Sequence, residues 1–440
     1  MRGINFIDYL RVFSTNRVPL HAKYYFEVTS TLLGVILSLV TAGFGHVTTA
    51  AANPTIVAIL LDDLGPGEIG PLAHRSVTPN IDALAASGIT FTDGYAPAPK
   101  CGPSRAGTLS MRQPQTFGFY TNQDKVSDAV WGMPDEVVMF PELLQQAGYE
   151  TWLVGKSHAG ANAWQHPQAT GFDHFFGFVS GEHPYLGEAA GNPIYRDLVP
   201  EAESEYLTDA FAREVLAALQ APGDKPKFVF ASLNAPHTPM QAPLHSGCAA
   251  TDKRCIWLAI MRNLDDAVGR IVAALPPNSL VALAGDNGCD AADSTCSGQP
   301  TRGQKGSLYE GGVRVPFMLA WPGQFPAGKR LSQPVTTMDW GPTFLAAAGA
   351  PVPAWADGVD LLPLARGQTS KAPHANMFWG TSKSNATVRQ GDWKLIGSAL
   401  YNLRKDIGEK KNVASSNKSK VTALTRARTK ELQRWTPPRW

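Results

Sequence analysis

Thr55-Ile56-Val57-Ala58-Ile59-Leu60-Leu61-Asp62-Asp63-Leu64-Gly65 decides the fold class of this chain. An unbroken apolar run of strand length reads as a strand buried on both faces, the pattern of a parallel sheet covered by helices. It stops at two adjacent carboxylates, which are costly at the end of a buried strand unless a cation or hydrogen bonds hold them. A solvated Asp-Asp turn is the plainer alternative. Three further runs share the form. Thr151–Val154 leads into Gly155-Lys156-Ser157-His158, Phe228–Leu233 into Asn234-Ala235-Pro236-His237-Thr238-Pro239, and Leu280–Ala284 into Gly285-Asp286-Asn287-Gly288. Ligands of open α/β sheets collect at the carboxyl ends of strands, so these clusters are expected to converge. Asp and Asn there supply hard oxygens suited to calcium or magnesium.

Helical segments separate the runs. Thr78-Pro79-Asn80-Ile81-Asp82 through Ser87-Gly88 has an N-cap residue, Pro at the first helical position and Gly beyond the end. Pro141–Gly148 is a second short helix. Trp257, Met261, Leu264, Val268, Ile271 and Leu275 trace one face of an amphipathic third. Pro- and Gly-rich residues near 350–373 read as a linker into a smaller C-terminal unit. The expected layout is a leader over 1–52, a catalytic α/β domain over 53–370 and a smaller subdomain over 371–440. The chain's end is basic, and its last helix, Val421–Trp435, reads as a solvated helix closing the domain rather than a polyanion-binding tail.

The 440 residues include 39 basic and 37 acidic side chains, a balance that gives no reason to expect nucleic acid or an anionic membrane as the main partner. With 41 Gly and 34 Pro, loops should be plentiful. Arg2, Arg11, Arg17 and Lys23 precede an apolar run from Leu32 to Phe44, followed by Ala50-Ala51-Ala52, so an exported protein, periplasmic or secreted, is expected. An uncleaved anchor is the alternative, and the long stretch before the apolar run fits a start downstream of Met1. Of five cysteines, Cys248, Cys255, Cys289 and Cys296 form an even set once Cys101 is set aside. Three pairings exist, and the two seven-residue spacings make Cys248–Cys255 and Cys289–Cys296 the simplest. Zinc is disfavoured, since no C-x-x-C pair is present.

Cys101-Gly102-Pro103-Ser104-Arg105 is C-x-P-S-R. Pro103 suits a first helical turn. Cys101 then sits at a helix N-terminus, where the backbone dipole favours negative charge, and Arg105 lies on the same face one turn later. In isolation these residues read as a buried cysteine opening an ordinary helix. However, the motif resembles the signature of the type I sulfatases, alkaline phosphatase-like enzymes in which this cysteine is oxidised to formylglycine. Further segments carry the resemblance over roughly 53–413: Asp62-Asp63-Leu64-Gly65, Thr78-Pro79-Asn80-Ile81-Asp82, Gly155-Lys156-Ser157-His158, Pro236-His237-Thr238-Pro239, Gly285-Asp286-Asn287-Gly288, and Lys305-Gly306-Ser307-Leu308-Tyr309-Glu310-Gly311-Gly312-Val313-Arg314-Val315-Pro316. Pro66, Glu68 and Met111 depart from the family pattern.

The resemblance implies an alkaline phosphatase-like fold: a large mixed, mostly parallel sheet sandwiched by helices, with a smaller C-terminal antiparallel subdomain. It implies that Asp62, Asp63, Asp286 and Asn287, with the modified Cys101, bind one divalent cation, calcium before magnesium. Hydrated formylglycine at Cys101 would attack sulfur while the metal, Arg105, Lys156 and Lys305 neutralise the sulfate oxygens. Asp286 would take the nucleophile's proton, His237 (or Lys305) would protonate the leaving oxygen, and His158 would deprotonate the second hydroxyl. The implied partners are a sulfated small molecule or glycan and a formylglycine-generating enzyme. Residues 159–200, with His183 and Arg196 as candidate substrate contacts, and the loop near His374–Lys383 suit a sulfated carbohydrate. A broad arylsulfatase, or a phosphonate or phosphodiester hydrolase of the same superfamily, is the alternative. A catalytically silent glycan binder would be expected to have lost Cys101 or a metal carboxylate, and none is lost.

Overall fold

The computed structural model describes residues 53–70, 77–122, 131–187, 189, 191–291, 294–296 and 298–439. The expected leader over 1–52 lies outside them. In chain order the elements are β1 (Thr55–Leu61), α1 (Pro79–Ser87), β2 (Ile89–Phe91), β3 (Gly94–Tyr95), α2 (Cys101–Ser110), α3 (Phe140–Gln146), β4 (Glu150–Lys156), β5 (His174–Phe178), β6 (Ile194–Arg196), β7 (Val199–Glu201), α4 (Leu207–Gln220), β8 (Lys227–Ser232), α5 (Lys253–Ala273), β9 (Ser279–Gly285), α6 (Glu310–Val313), β10 (Phe317–Ala320), β11 (Lys329–Leu331), β12 (Val335–Thr336), α7 (Trp340–Ala347), α8 (Leu362–Ala365), β13 (Met377–Gly380), β14 (Ala386–Gln390), β15 (Trp393–Ile396), β16 (Ala399–Asn402) and α9 (Lys418–Leu432).

Ten strands form one sheet in the order β11-β2-β10-β9-β1-β8-β4-β5-β6-β7. Its centre, β9-β1-β8-β4-β5, is parallel, while β10 runs antiparallel to β9 and β6 antiparallel to β5. The sheet is thus mixed and mostly parallel, as the apolar runs require. Alternation along β1 splits the core into two layers. Ile56, Ala58 and Leu60 join Leu109 of α2, Phe140 of α3 and Phe344 of α7. Val57, Ile59 and Leu61 join Ile81 of α1, Phe211 of α4 and Trp257 of α5. A strand covered on both faces has no position for a polar residue until it ends, which is why its sequence is unbroken.

Element ends shift by a few residues from the sequence reading. Leu275 lies beyond the end of α5, and α9 stops before Trp435, whose ring packs against Tyr120 at 6.0 Å. Met111 caps α2 in the left-handed region, φ 58°. Glycine adopts that conformation freely, whereas another residue pays about 1–2 kcal/mol. Met111 is fully buried, and Gly341 leaves it room, because a Cβ at 341 would overlap the Met111 side chain. No helix among the described residues is long and apolar enough to cross a membrane.

Strands β13–β14–β15–β16 form a separate antiparallel sheet. One face packs under α9 through Val388, Leu395, Leu400 and Leu424. From the other, Lys394 reaches Glu310 at 2.8 Å and Glu409 at 3.3 Å, with all three side chains fully buried. Glu310 also accepts hydrogen bonds from Tyr95 Oη at 2.6 Å and Arg314 Nη1 at 3.1 Å. Burial pushes the Glu310 carboxyl up, but Lys394, Arg314 and Arg389 outweigh it and hold the group down at about 2. Removing one partner of such a cluster strands the others, so Lys394→Met should cost about 3 kcal/mol of unfolding free energy in urea titration. A loss below about 1 kcal/mol would show that this network does not join the two sheets.

Candidate active site

Four adjacent parallel strands deliver the polar residues. Asp62 and Asp63 follow β1, Lys156 ends β4, Ser232 ends β8 before Asn234 and His237, and Asp286 and Asn287 follow β9. Strand pairing continues past the strand ends, with Asp286 N donating to Leu61 O at 2.9 Å and Asp62 N to Ala235 O at 3.2 Å. The side chains therefore start from a fixed edge. Cys101 opens α2 as expected, and its Sγ lies 3.8 Å from Asp63 Oδ1. Asn122 Oδ1 accepts from Gly102 N at 2.9 Å, satisfying one otherwise unpaired amide of that helix end.

Three buried carboxylates face three cations. Lys156 Nζ is 2.5 Å from Asp62 Oδ2, Lys305 Nζ is 2.8 Å from Asp63 Oδ2, and Arg105 Nε is 2.9 Å from Asp286 Oδ2. Arg105 is also fixed by Nη1 bonds to the Lys156 carbonyl, at 3.0 Å, and to Ser232 Oγ, while its Nη2 stands 3.5 Å from Asp62. Most of its fork thus holds the cluster together. Asn287 Nδ2 donates to Asp63 Oδ1 at 2.7 Å. His237 donates from Nδ1 to the Thr238 carbonyl at 2.7 Å, which leaves Nε2 as the acceptor for Lys305 Nζ at 3.0 Å. The Lys305 loop is pinned through Lys305 N to Cys289 O at 3.0 Å and Gly306 N to Pro99 O at 2.7 Å.

Charge in this water-poor space shifts the titrating groups. Burial, then Asp62, pushes Asp286 up to about 7, and burial pushes the Cys101 thiol up to about 12. For Asp62, burial acts upward but Lys156, His237 and Arg105 prevail, holding it well below the usual carboxylate range. Burial followed by Lys156 and Arg105 holds His158 well below the ordinary imidazole value, so it is neutral at physiological pH. His158 leans on the Trp131 ring at 5.2 Å and adopts φ 52°, and Asp63 adopts φ 60°. Left-handed backbone at two non-glycine residues is strain held at the site by its surroundings.

A divalent cation fits this donor set. Asp62 Oδ1 and Asn287 Oδ1 are buried without a hydrogen-bond partner, two hard oxygens whose desolvation nothing else offsets. Asp62, Asp63, Cys101 and His237 each bring a ligand atom within 4.8 Å of the others. His237 is the weakest member, since both its ring nitrogens are already engaged by Thr238 and Lys305.

Of the residues named from sequence, Asp62, Asp63, Cys101, Arg105, Lys156, His237, Asp286, Asn287 and Lys305 meet in this cluster, with His158 beside it. His183 and Arg196 do not join it. His183 donates from Nδ1 to the Pro184 carbonyl at 2.7 Å and lines a cavity of about 210 Å³ with Ile194, Pro200, Glu201 and Glu203. The Arg196 guanidinium pairs with Glu201 and Glu214 and covers the Phe176 ring at 4.8 Å. Cys248 pairs with Cys255 and Cys289 with Cys296, leaving Cys101 as the free cysteine. Ser232, Asn122 and Trp131 escaped the sequence reading. Ser232 alone had a signal, a hydroxyl at the end of an apolar strand.

Comparison with known proteins places the chain in a family. Residues 54–350 match the sulfatase family, and 303–436 match the C-terminal region of N-sulphoglucosamine sulphohydrolase. N-acetylgalactosamine-6-sulfatase of Sus scrofa is 35% identical over 77% of this chain and 71% of its own length. Arylsulfatase A of Homo sapiens is 33% identical over 78% and 75%. The crystal structure of Ps i-CgsB in complex with k-i-k-neocarrahexaose superposes with a TM-score of 0.82 at 31% identity, covering 88% of this chain and 94% of that one. The chain belongs to the sulfatase family and is a sulfuric ester hydrolase with the alkaline phosphatase-like fold. Membership implies a metal and a formylglycine made from the motif cysteine.

A thiol at about 12 is protonated and shielded at pH 8. In protein whose Cys101 is unconverted, iodoacetamide at that pH should leave the thiol unmodified in the folded state and label it in urea, read by peptide mass. Rapid labelling of folded protein would contradict the burial.

Proposed function

We propose that this enzyme hydrolyses sulfate esters of a sulfated carbohydrate, acts outside the cytoplasm, and requires calcium and a formylglycine-generating enzyme for maturation. The observation that carries the reading is the pair of orphaned oxygens, Asp62 Oδ1 and Asn287 Oδ1, beside Cys101 and three cationic side chains. The carbohydrate assignment is supported by the N-acetylgalactosamine-6-sulfatase relatives and by the neighbour solved with a neocarrahexaose. The likeness to arylsulfatase A keeps a broad arylsulfatase as the second reading. Export is supported by the basic and apolar residues of 1–52 and by the two disulfides.

Asp62, Asp63, Asp286 and Asn287 would hold the cation, which supplies Lewis-acid polarisation of a sulfate oxygen. Formylglycine at position 101 supplies a hydrated aldehyde, one hydroxyl to attack sulfur and a second from which the aldehyde can re-form. Around these groups the protein's own side chains act. Lys156 and Lys305 neutralise sulfate oxygens once a cation satisfies Asp62 and Asp63, and Arg105 keeps Asp286 oriented toward the nucleophile's hydroxyl. Asp286 accepts that proton. His237 protonates the leaving oxygen, with Lys305, whose Nζ lies 3.0 Å from His237 Nε2, as the alternative donor. Neutral His158 takes the proton in the step that releases sulfate.

Four outcomes follow from these roles. Cys101→Ala should abolish turnover, and full activity in that variant would sink the mechanism. Exhaustive chelation should remove activity and lower thermal stability, with calcium restoring both; indifference to chelation would contradict the metal assignment. His237→Ala should lose at least about 100-fold on a sugar sulfate and far less on nitrophenyl sulfate, whose phenolate leaves unaided. His158→Ala should instead slow both substrates to a common rate. A panel of sulfated monosaccharides and oligosaccharides beside nitrophenyl sulfate tests the substrate class; turnover of the aryl ester alone would favour the second reading.

A further inference from the structure

The C-terminal part carries a charge the catalytic reaction does not use. Residues 371–440 hold 15 basic and 4 acidic side chains, a formal +11, whereas residues 53–370 hold 20 and 31, a formal −11. Some of that charge fastens the two parts together: Arg389 pairs with Asp93, Lys394 with Glu310, Arg434 with Asp357 and Arg439 with Glu136. The remaining bases mostly face water. The acids do not: Glu409 and Glu431 are buried, Asp406 is half-buried and accepts a hydrogen bond from Lys411 N at 2.8 Å, and Asp392 alone is exposed. Burying the acids and exposing the bases leaves an outer surface of nearly one sign. Among the described residues no carboxylate stands within ion-pair distance of the exposed Arg404, Lys405, Lys410, Lys411, Lys418 or Arg426.

Four of these lie in the segment after β16 that leans on the active-site loop. The Glu409 carbonyl accepts from Arg302 Nη1 at 3.1 Å, and Arg302 stands three residues before Lys305 in the chain. The patch therefore begins beside the catalytic lysine's loop, and Lys418 and Arg426 add exposed bases on α9. A single sulfated sugar does not need so extended a field. A chain with repeated sulfate groups does, because each neutralised group releases counterions and the field gathers the polymer near the site.

We propose that the loop around Arg404–Lys411, aided by the exposed bases of α9, is a docking surface for a sulfated polysaccharide, holding the polymer while one ester enters the catalytic cluster. This inference rests on the sulfated-carbohydrate reading above. The sequence alone read the basic end as a solvated helix; the separation of buried acids from exposed bases is what changes that reading.

The test uses full-length, calcium-loaded enzyme and fluorescein-labelled dextran sulfate followed by fluorescence anisotropy across a sodium chloride series. Wild type should bind the sulfated polymer with strong salt dependence and ignore unsulfated dextran. The variant R404E/K405E/K410E/K411E should bind at least about tenfold more weakly with a shallower salt slope. Its turnover of nitrophenyl sulfate should be unchanged, which reports that the fold and the catalytic cluster survive. The milder Lys410→Gln/Lys411→Gln variant should fall between the two. Unchanged polymer binding in the fourfold variant overturns the proposal, as does equal affinity for a short duplex DNA or for phosphatidylglycerol vesicles, which would assign the surface to another class of polyanion. Polymer binding with no sulfatase activity on any substrate would refute the proposed function instead, so the two failures are distinguishable.

Discussion

Three carboxylates, Asp62, Asp63 and Asp286, are buried together at the edge of one sheet, and the rest of the molecule is arranged to make that tolerable. Isolated, each would cost several kcal/mol in lost hydration. Here Lys156, Lys305 and Arg105 supply one positive charge to each. The balance is local and complete, yet it leaves Asp62 Oδ1 and Asn287 Oδ1 without partners. On the proposed function, a cation entering beside these oxygens would set the lysines free for an anion, so that one electrostatic requirement would prepare both a metal site and a sulfate site.

Each supporting element serves that requirement. The parallel strands β9, β1, β8 and β4 fix four chain exits side by side. Ser232 and the Lys156 carbonyl hold the Arg105 fork, so Asp286 keeps one orientation. The Lys305 loop is tied to Cys289 and Pro99 at one end. At the other, Glu310 N donates to Glu409 Oε2 at 2.7 Å, which places the C-terminal sheet in the same scaffold. Hydrogen bonds to elements near and far in sequence thereby set the position of one ammonium group.

What was legible in the sequence follows from this physics. Strands covered on both faces must be apolar until they end, so β1, β4, β8 and β9 could be read with their terminal polar clusters. Short motifs fixed by chemistry, such as Cys101–Arg105 and Lys305–Pro316, were equally readable. Side chains whose partners come from distant elements were not. Arg196 has no visible partner in sequence; in space Glu214, on α4, pairs with it. Ser232, Asn122 and Trp131 act through neighbours that folding alone supplies. Nor could the sequence say that Glu409 and Glu431 are buried, which leaves few acids on the C-terminal surface.

The central claim is that the lysines now on Asp62 and Asp63 exchange those partners for sulfate when a cation binds. A crystal structure of the calcium-loaded Cys101→Ser protein with a sulfated sugar measures this directly. The account predicts one ion at about 2.3–2.6 Å from oxygens of Asp62, Asp63, Asp286 and Asn287, with Lys156 and Lys305 Nζ moved onto sulfate oxygens. An ion bound elsewhere, or lysines still on the aspartates with sulfate bound, would contradict it.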